Sequence, residues 1–185
     1  FDGKKGIKVI PCYYKKDFPE WSDRGDGPGA PVASHLPNSP VIQTGKRDGS
    51  KIRLPNGNYL EETASYYVLV ETKAGGMTPA LITMKSTQLN VSKKWNSMMK
   101  TIQIPDGKGG MAIPPMHGVV YNLQSVLQKN DKGSWYGWSV TQDRIMGQED
   151  KSLYLTAKDF NSSVAKGNVQ TKADVEEKAK DNTPY

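Results

Sequence analysis

The sequence has few of the residues that enzymes use for metal or nucleophilic chemistry. Cys12 is the single cysteine, which excludes an intrachain disulfide and favours a reducing, cytosolic environment. His35 and His117 are the two histidines, and neither has the neighbouring cysteines or carboxylates of a zinc site. The chain also lacks a Walker phosphate loop and a GxSxG segment. We therefore expect no catalytic residue, no metal and no cofactor.

Long apolar runs are lacking as well. No stretch approaches the roughly 18 apolar residues needed to cross a bilayer, and the first residues do not resemble a signal peptide. The 185 residues include 18 Gly and 12 Pro and have a mean hydropathy of −0.65, which is typical of a soluble domain with many turns and long loops. The sequence predicts a protein without a membrane partner.

The charge that is present is mostly positive. The net charge of +6 favours a polyanionic partner, although a merely soluble surface is the alternative. Residues 72–105 contain no Asp or Glu but contain five lysines, which are Lys73, Lys85, Lys93, Lys94 and Lys100. Such lysines can follow a phosphate backbone, or they can simply solvate the outer face of a helix.

The order of apolar patterns predicts an all-β or β-rich fold with one inserted helix. Alternating or continuous apolar segments predict five main strands at 7–14, 66–72, 80–86, 119–127 and 135–140, with a further short strand at 41–44. Residues 88–101 have helical periodicity instead, with Val91, Trp95, Met98 and Ile102 on one face. A helix between the third and fourth of five strands is the layout of an OB-like barrel.

A second amphipathic pattern follows the last strand. Leu153, Ala157, Phe160 and Val164 share a helical face, and Gly167 is positioned to end that helix. We therefore predict an OB-like domain over 1–149, an appended helix over 150–167 and a flexible polar tail over 168–185. The Pro- and Gly-rich residues 18–40 form a predicted long loop.

The last predicted hairpin offers a nucleic-acid site. If Tyr136, Trp138 and Val140 fill the barrel, strand alternation turns Trp135 outward beside Lys129 and Lys132. Exposed aromatics stack on bases, and lysines neutralise phosphates, in proteins that bind single strands. The predicted site adds Lys85, Lys93 and Lys94 for phosphates and Tyr67 for a base. A Trp135 that covers a sheet face or a partner interface is the alternative.

One enzymatic alternative remains. Glu71-Thr72-Lys73 at the end of an apolar strand has the E-x-K form of many metal-dependent nucleases. Such a site needs a second carboxylate, from Asp48, Glu61 or Glu62, to hold Mg²⁺ while the lysine orients water. A charged strand end is the ordinary explanation of the same residues.

Four segments carry a resemblance that covers residues 12–138. They are WSDRGDGPGAPV (21–32), LPNGNYLEET (54–63), STQLNVSKKWNSMM (86–99) and NDKGSWYGW (130–138). They resemble a group of tailed-bacteriophage proteins, mostly described as hypothetical, and the strand order is similar to that of phage OB-fold single-stranded DNA-binding proteins.

The phage group implies no function by itself, and the likeness to the DNA-binding proteins is one of architecture. Together with the predicted lysine and aromatic site, that likeness leads to the hypothesis of sequence-nonspecific binding of single-stranded DNA during phage DNA replication or recombination, in the host cytoplasm. Phage replication or recombination proteins and further copies of the chain are the other candidate partners. The competing hypothesis is a virion structural or host-interaction protein that does not bind nucleic acid. Long ordered loops suit either function.

Overall fold

A computed structural model of the chain describes residues 3–23, 29–131 and 133–169. The chain divides into two compact units. Unit 1 comprises residues 1–15 and 64–161, and unit 2 comprises residues 16–63 and 162–185. Strands form most of the regular structure, as the composition predicted.

The elements follow one another in this order. The strands are β1 (Ile7–Trp21), β2 (Ala33–His35), β3 (Lys46–Asp48), β4 (Lys51–Arg53), β5 (Tyr59–Glu61), β6 (Thr63–Glu71), β7 (Met77–Lys85), β8 (Ile104–Pro105), β9 (Met111–Ala112), β10 (Val119–Asn130) and β11 (Gly133–Ile145). The α-helices are α1 (Pro40–Thr44), α2 (Leu89–Thr101) and α3 (Lys151–Ala165), and single 3₁₀ turns occupy Ser86–Gln88, Met116–Gly118 and Gln148–Asp150.

Unit 1 contains a strongly curled antiparallel half-barrel. Its strands lie in the order β11, β10, β1, β6, β7, and α2 connects β7 to β10. These are five long strands with a helix between the third and fourth along the chain, so the predicted OB-like fold class is confirmed. The first part of β1 pairs with β10 from Ile7 opposite Leu123 to Val9 opposite Tyr121.

One face of this sheet packs against α2 around three aromatic rings. Trp95 of α2 is fully buried, stacks on Tyr66 at 4.3 Å between ring centroids and meets the edge of Tyr121 at 5.6 Å. The Tyr66 hydroxyl lies 2.8 Å from the hydroxyl of Ser92, one helical turn before Trp95. The predicted helical face is therefore the packed face, with Met99 as an additional buried member.

The other face of the sheet packs against α3. Val120 lies on this face because it alternates with Val119 and Tyr121, which belong to the aromatic cluster. The buried members of this second cluster are Ile10, Cys12, Leu69, Val120 and Ala157.

Helix α3 confirms the predicted C-terminal helix. Its side chain Asn161 donates a hydrogen bond to the backbone carbonyl of Cys12. The chain leaves the helix at Gly167, whose φ of +73° an L side chain rarely adopts. The predicted flexible tail lies, from residue 170 onward, outside the described residues. None of the described helices has the length and apolar character that a membrane span requires.

Unit 2 is a set of short strands around a small core. The end of β1 pairs with β2 and β5, and β5, β4 and β3 follow in antiparallel order. Phe18, Ile52, Leu54 and Leu60 form the core, with Val41 and Ile42 of α1 packed against it. The predicted strand at 41–44 is wrong, because Pro40 occupies the first turn of a short helix there.

Candidate nucleic-acid interface

The interface is built on the long hairpin of β10 and β11 in unit 1. The two strands pair from Val119 opposite Ile145 to Asn130 opposite Gly133, with one register shift after Val120. Gly133 has a φ of +135°, a conformation that favours glycine, where the chain re-enters β11. The end of the hairpin near these two residues is called the hairpin tip below.

Trp135 lies at the hairpin tip, opposite Gln128 in the register. It is half-buried, and its indole Nε1 donates a hydrogen bond to Gln128 Oε1 at 2.9 Å. The ring lines a shallow cleft of about 260 Å³, called the tip cleft, whose other walls come from Thr87, Asn130, Gly133 and Ser134. The ring is therefore held at one edge and borders an open space.

Gln88 joins the tip to the start of α2. Its Oε1 accepts a hydrogen bond of 2.8 Å from the backbone N–H of Trp138, and its Nε2 lies 3.5 Å from Gln128 Oε1. A Cβ at Gly137 would meet the ends of both glutamine side chains, which would have to move to make room for it. These two contacts of Gln88 are called the Gln88 brace below. Two residues earlier, Ser86 has a φ of +51°, which is strained for a residue other than glycine.

Four of the five predicted lysines lie on described elements, and Lys85 and Lys129 are close in sequence or register to residues that line the tip cleft. Lys85 ends β7, two residues before Thr87 of the cleft wall, and Lys129 lies opposite Ser134 in the hairpin. Lys93 and Lys94 are exposed on α2. Lys132 lies outside the described residues. Helix α2 has no acidic residue in its first turn and no side-chain cap, so its positive end adds to this charge.

Tyr67 is not brought to the tip cleft. It lies on β6, half-buried, with its ring 6.0 Å from that of Tyr13 in an edge contact. By alternation it shares a face of the sheet with Leu69, which belongs to the cluster under α3.

The exposure of Tyr136 differs from the sequence prediction. It was predicted to fill the barrel with Trp138 and Val140, but only those two pack against the aromatic cluster. Tyr136 is 68% exposed, and its cross-strand partner Leu127 is 64% exposed. The hairpin extends past the end of the core. Tyr136 and Leu127 therefore lie on its inward face but project beyond the core. Sequence alternation gave their face, but no sequence signal gives the point where the core ends.

The residues of the nuclease hypothesis occupy separate environments. Glu71 and Lys73 are exposed at the end of β6 and in the turn that follows. In unit 2, Glu62 pairs with Lys16 at 2.7 Å, and Asp48 lies 3.4 Å from the Arg53 guanidinium. Within the described parts of the chain, no group of three His, Cys, Asp or Glu side chains could hold a metal ion.

Cys12 is buried in the second cluster, and burial raises the pKa of its thiol to about 12. The thiolate is the nucleophilic form of cysteine, so this side chain is inert at neutral pH. Burial likewise lowers the pKa of His117.

Glu20 is the centre of a polar cluster among the described residues of unit 2. Its carboxylate accepts hydrogen bonds from Asn58 at 2.6 Å and Asn56 at 3.1 Å, and it lies 2.7 Å from His35 Nε2. These bonds, that of Asn58 first, lower the pKa of Glu20. Each carboxylate oxygen is occupied by the chain itself, so the cluster fastens the Asn56–Asn58 turn to β1.

Comparison with known proteins identifies the group to which the chain belongs. The family described as Pam3 phage gp34-like protein has a model that matches residues 1–170. The chain belongs to this family. The match confirms the predicted membership of a bacteriophage protein group. No curated protein and no solved structure gives a significant match.

Proposed function

We propose that this phage protein binds single-stranded DNA without sequence preference, through the tip cleft and the lysines around it. The observation that carries the proposal is the tip cleft itself, because an indole ring there borders an open space between lysine-bearing elements. The OB-like strand order is compatible with this function, and membership of a phage protein family makes a phage DNA substrate a natural candidate.

Stacking supplies part of the binding energy. The Trp135 ring is held by Gln128 in a fixed position, so little conformational entropy is lost when a base stacks on it. Each stacked base contributes about 1–3 kcal/mol in proteins of this class. On the inward face of the hairpin, the exposed Tyr136 ring beside Leu127 offers a second flat surface.

Lysines supply the remainder of the binding energy. Lys85, Lys93, Lys94, Lys129 and Lys132 contact phosphates in this proposal and release the counterions condensed on the DNA. Binding then weakens as salt is added, with a slope of about −0.7 in log K against log salt for each neutralised phosphate. A protein of this type acts on the single strands exposed in replication or recombination, in the host cytoplasm.

Fluorescence anisotropy of a labelled oligo-dT measures this binding directly. We expect Trp135→Ala to weaken binding by roughly 5- to 150-fold, equivalent to the loss of one stacked base. Changing Lys85, Lys93, Lys94 and Lys129 together to Gln should reduce the salt slope by about 3, at about 0.7 per lysine. The matched control changes four exposed lysines elsewhere to Gln, namely Lys5, Lys46, Lys151 and Lys166.

Two results would contradict the proposal. One is an unchanged anisotropy at low salt, where the phosphate contacts are strongest. The other is an equal loss of affinity in the two quadruple lysine variants, which would indicate only a general charge effect.

A virion or host-interaction protein is the second candidate. Val32 and Leu36 of unit 2 support it, because they are 47% and 59% exposed on the segment around β2. Sedimentation with purified virions, or co-purification with one host protein, should persist after nuclease treatment if this function is correct. Loss of both associations on nuclease treatment would favour DNA binding instead.

A further inference from the structure

Unit 1 contains a second cleft, with a different lining from the tip cleft. It has a volume of about 390 Å³ and lies against α2 and the segment that follows β9. Met99, Pro114 and Met116 form apolar walls, and Ile113, which is 58% exposed, stands at its mouth. The volume is in the range of about 300–1,000 Å³ that is usual for binding pockets.

Three polar groups lie at the edge of this methionine cleft. Tyr14 packs its ring 5.0 Å from that of Tyr66, and Asn96 is on α2. Lys100, also on α2, is exposed and has no ion-pair partner within the described residues. Lys100 therefore gives this edge of the cleft a positive charge.

We propose that the methionine cleft docks a partner protein, by binding a short segment in which a large apolar side chain is flanked by carboxylates. The apolar side chain enters between Met99 and Met116, and a carboxylate pairs with Lys100. Methionine side chains are flexible and polarizable, so they adapt to aliphatic and aromatic groups alike.

The lining favours a protein over nucleic acid as the occupant. Nucleobases bind on flat aromatic faces, whereas most of these walls are thioether and aliphatic, and the one ring among them, that of Tyr14, packs against Tyr66. The walls of the tip cleft show the opposite character, with an indole and small polar side chains. The protein would therefore hold a single strand and a protein partner at two separate places in unit 1.

Fluorescein-labelled peptides test this inference without DNA. The probes are Asp-Glu-Asp-X-Z-Asp-Glu peptides with Leu-Phe, Ile-Trp or Val-Leu at the centre. We expect saturable binding of at least one, and binding roughly tenfold or more weaker when Ser-Ser replaces the apolar pair, because its burial is lost. Replacement of the acids by Asn and Gln should also weaken binding.

Variants locate the peptide on the protein. Ile113→Asp and Lys100→Glu should each weaken peptide binding about tenfold, since they place a negative charge at the mouth of the cleft. The controls Leu155→Asp on α3 and Lys46→Glu on β3 change exposed side chains elsewhere and should leave binding unchanged. In spectra of ¹³C-methyl methionine, the peptide should shift Met99 and Met116 and leave Met77 and Met146 in place.

Four outcomes would overturn the inference. They are the absence of saturable binding by all three peptides, an equal loss in the control variants, displacement of the peptide by oligo-dT, and a dimer that Ile113→Asp converts to monomer. The third would assign the cleft to nucleic acid, and the fourth would assign it to a second copy of the chain. The peptide results do not depend on whether the protein binds DNA.

Discussion

The base and the tip of the β10–β11 hairpin have the same strand pattern and opposite burial. Leu123 and Leu127 lie on one strand and one face, four residues apart, yet Leu123 is fully buried and Leu127 is 64% exposed. Opposite them, Val140 packs against the aromatic cluster and Tyr136 is exposed. Alternation therefore decides which way a side chain points, and the extent of α2 decides whether anything covers it.

The difference in burial between the base and the tip also predicts different effects of mutations. At the base, the hairpin is part of the core, where a substitution alters stability. At the tip, the Gln88 brace holds the hairpin through hydrogen bonds, and the side chains of Leu127 and Tyr136 stay exposed. Mutations at the two ends should therefore have separable effects.

The largest expected effect compares the two leucines directly. Leu123→Ala should lower the free energy of unfolding by about 2–5 kcal/mol, because it opens a cavity in the core. Leu127→Ala should change it by about 0.5 kcal/mol or less, because Leu127 is already exposed. Urea unfolding followed by circular dichroism measures both. Equal destabilisation by the two variants would mean that the tip is packed as tightly as the base.

An intermediate effect on stability is expected when the ion pair between Arg144 and Asp150, near the base of the hairpin, is removed. Asp150 accepts hydrogen bonds from Arg144 at 2.9 Å and from the Gly147 N–H at 3.1 Å, and these contacts lower its pKa below the ordinary 3.8. Asp150→Asn should therefore cost about 1 kcal/mol at pH 7, reduced by the partial exposure of Arg144.

The pH dependence of that variant follows from the direction of the pKa shift. Since the folded pKa lies below the unfolded one, the carboxylate stabilises the protein above pH 3.8 and this contribution is lost as the pH falls through the folded pKa. The stability difference between wild type and Asp150→Asn should shrink as urea titrations are repeated from pH 5 to pH 2. A difference that stays constant over this range would exclude the ion pair as its source.

The smallest expected effect concerns the brace at the tip. Gln88→Ala removes the acceptor for the Trp138 N–H and should cost about 0.5–1 kcal/mol, typical of one hydrogen bond near the surface. Amide exchange should accelerate at Trp138, while exchange at Tyr121 in the core should not change. If Trp138 exchanged at the same rate in both proteins, Gln88 would not be holding the hairpin.

Much of the fold was predictable because its signals are local. The five strands and the helix periodicity of 88–101 predicted the OB-like order, and Gly167 predicted the end of α3. The strand predicted at 41–44 was wrong because a run of only four residues fits a strand or a helix equally well. Pro40 at the first turn and the packing of Val41 and Ile42 against the unit 2 core favour the helix.

The candidate site was predictable in part. The place of Trp135 at the hairpin tip follows from the turn, but Lys129 lies opposite Ser134 and so shares a face with Leu127 and Tyr136, whereas Trp135 shares the other face with Gln128. The exposure of Tyr136, the brace made by Gln88 and the methionine cleft depend on where separate segments end in space. The sequence pattern of one segment does not show where another segment ends in space. These features could therefore be found only in the structure.

The burial of Cys12 has a practical consequence for future experiments. Its thiol is protonated at neutral pH and screened by the cluster under α3. Maleimide reagents attack thiolates at the surface, so a second cysteine introduced at an exposed position can carry a dye while the native one stays unmodified. The wild-type sequence is in this respect already a suitable background for single-site labelling and distance measurements.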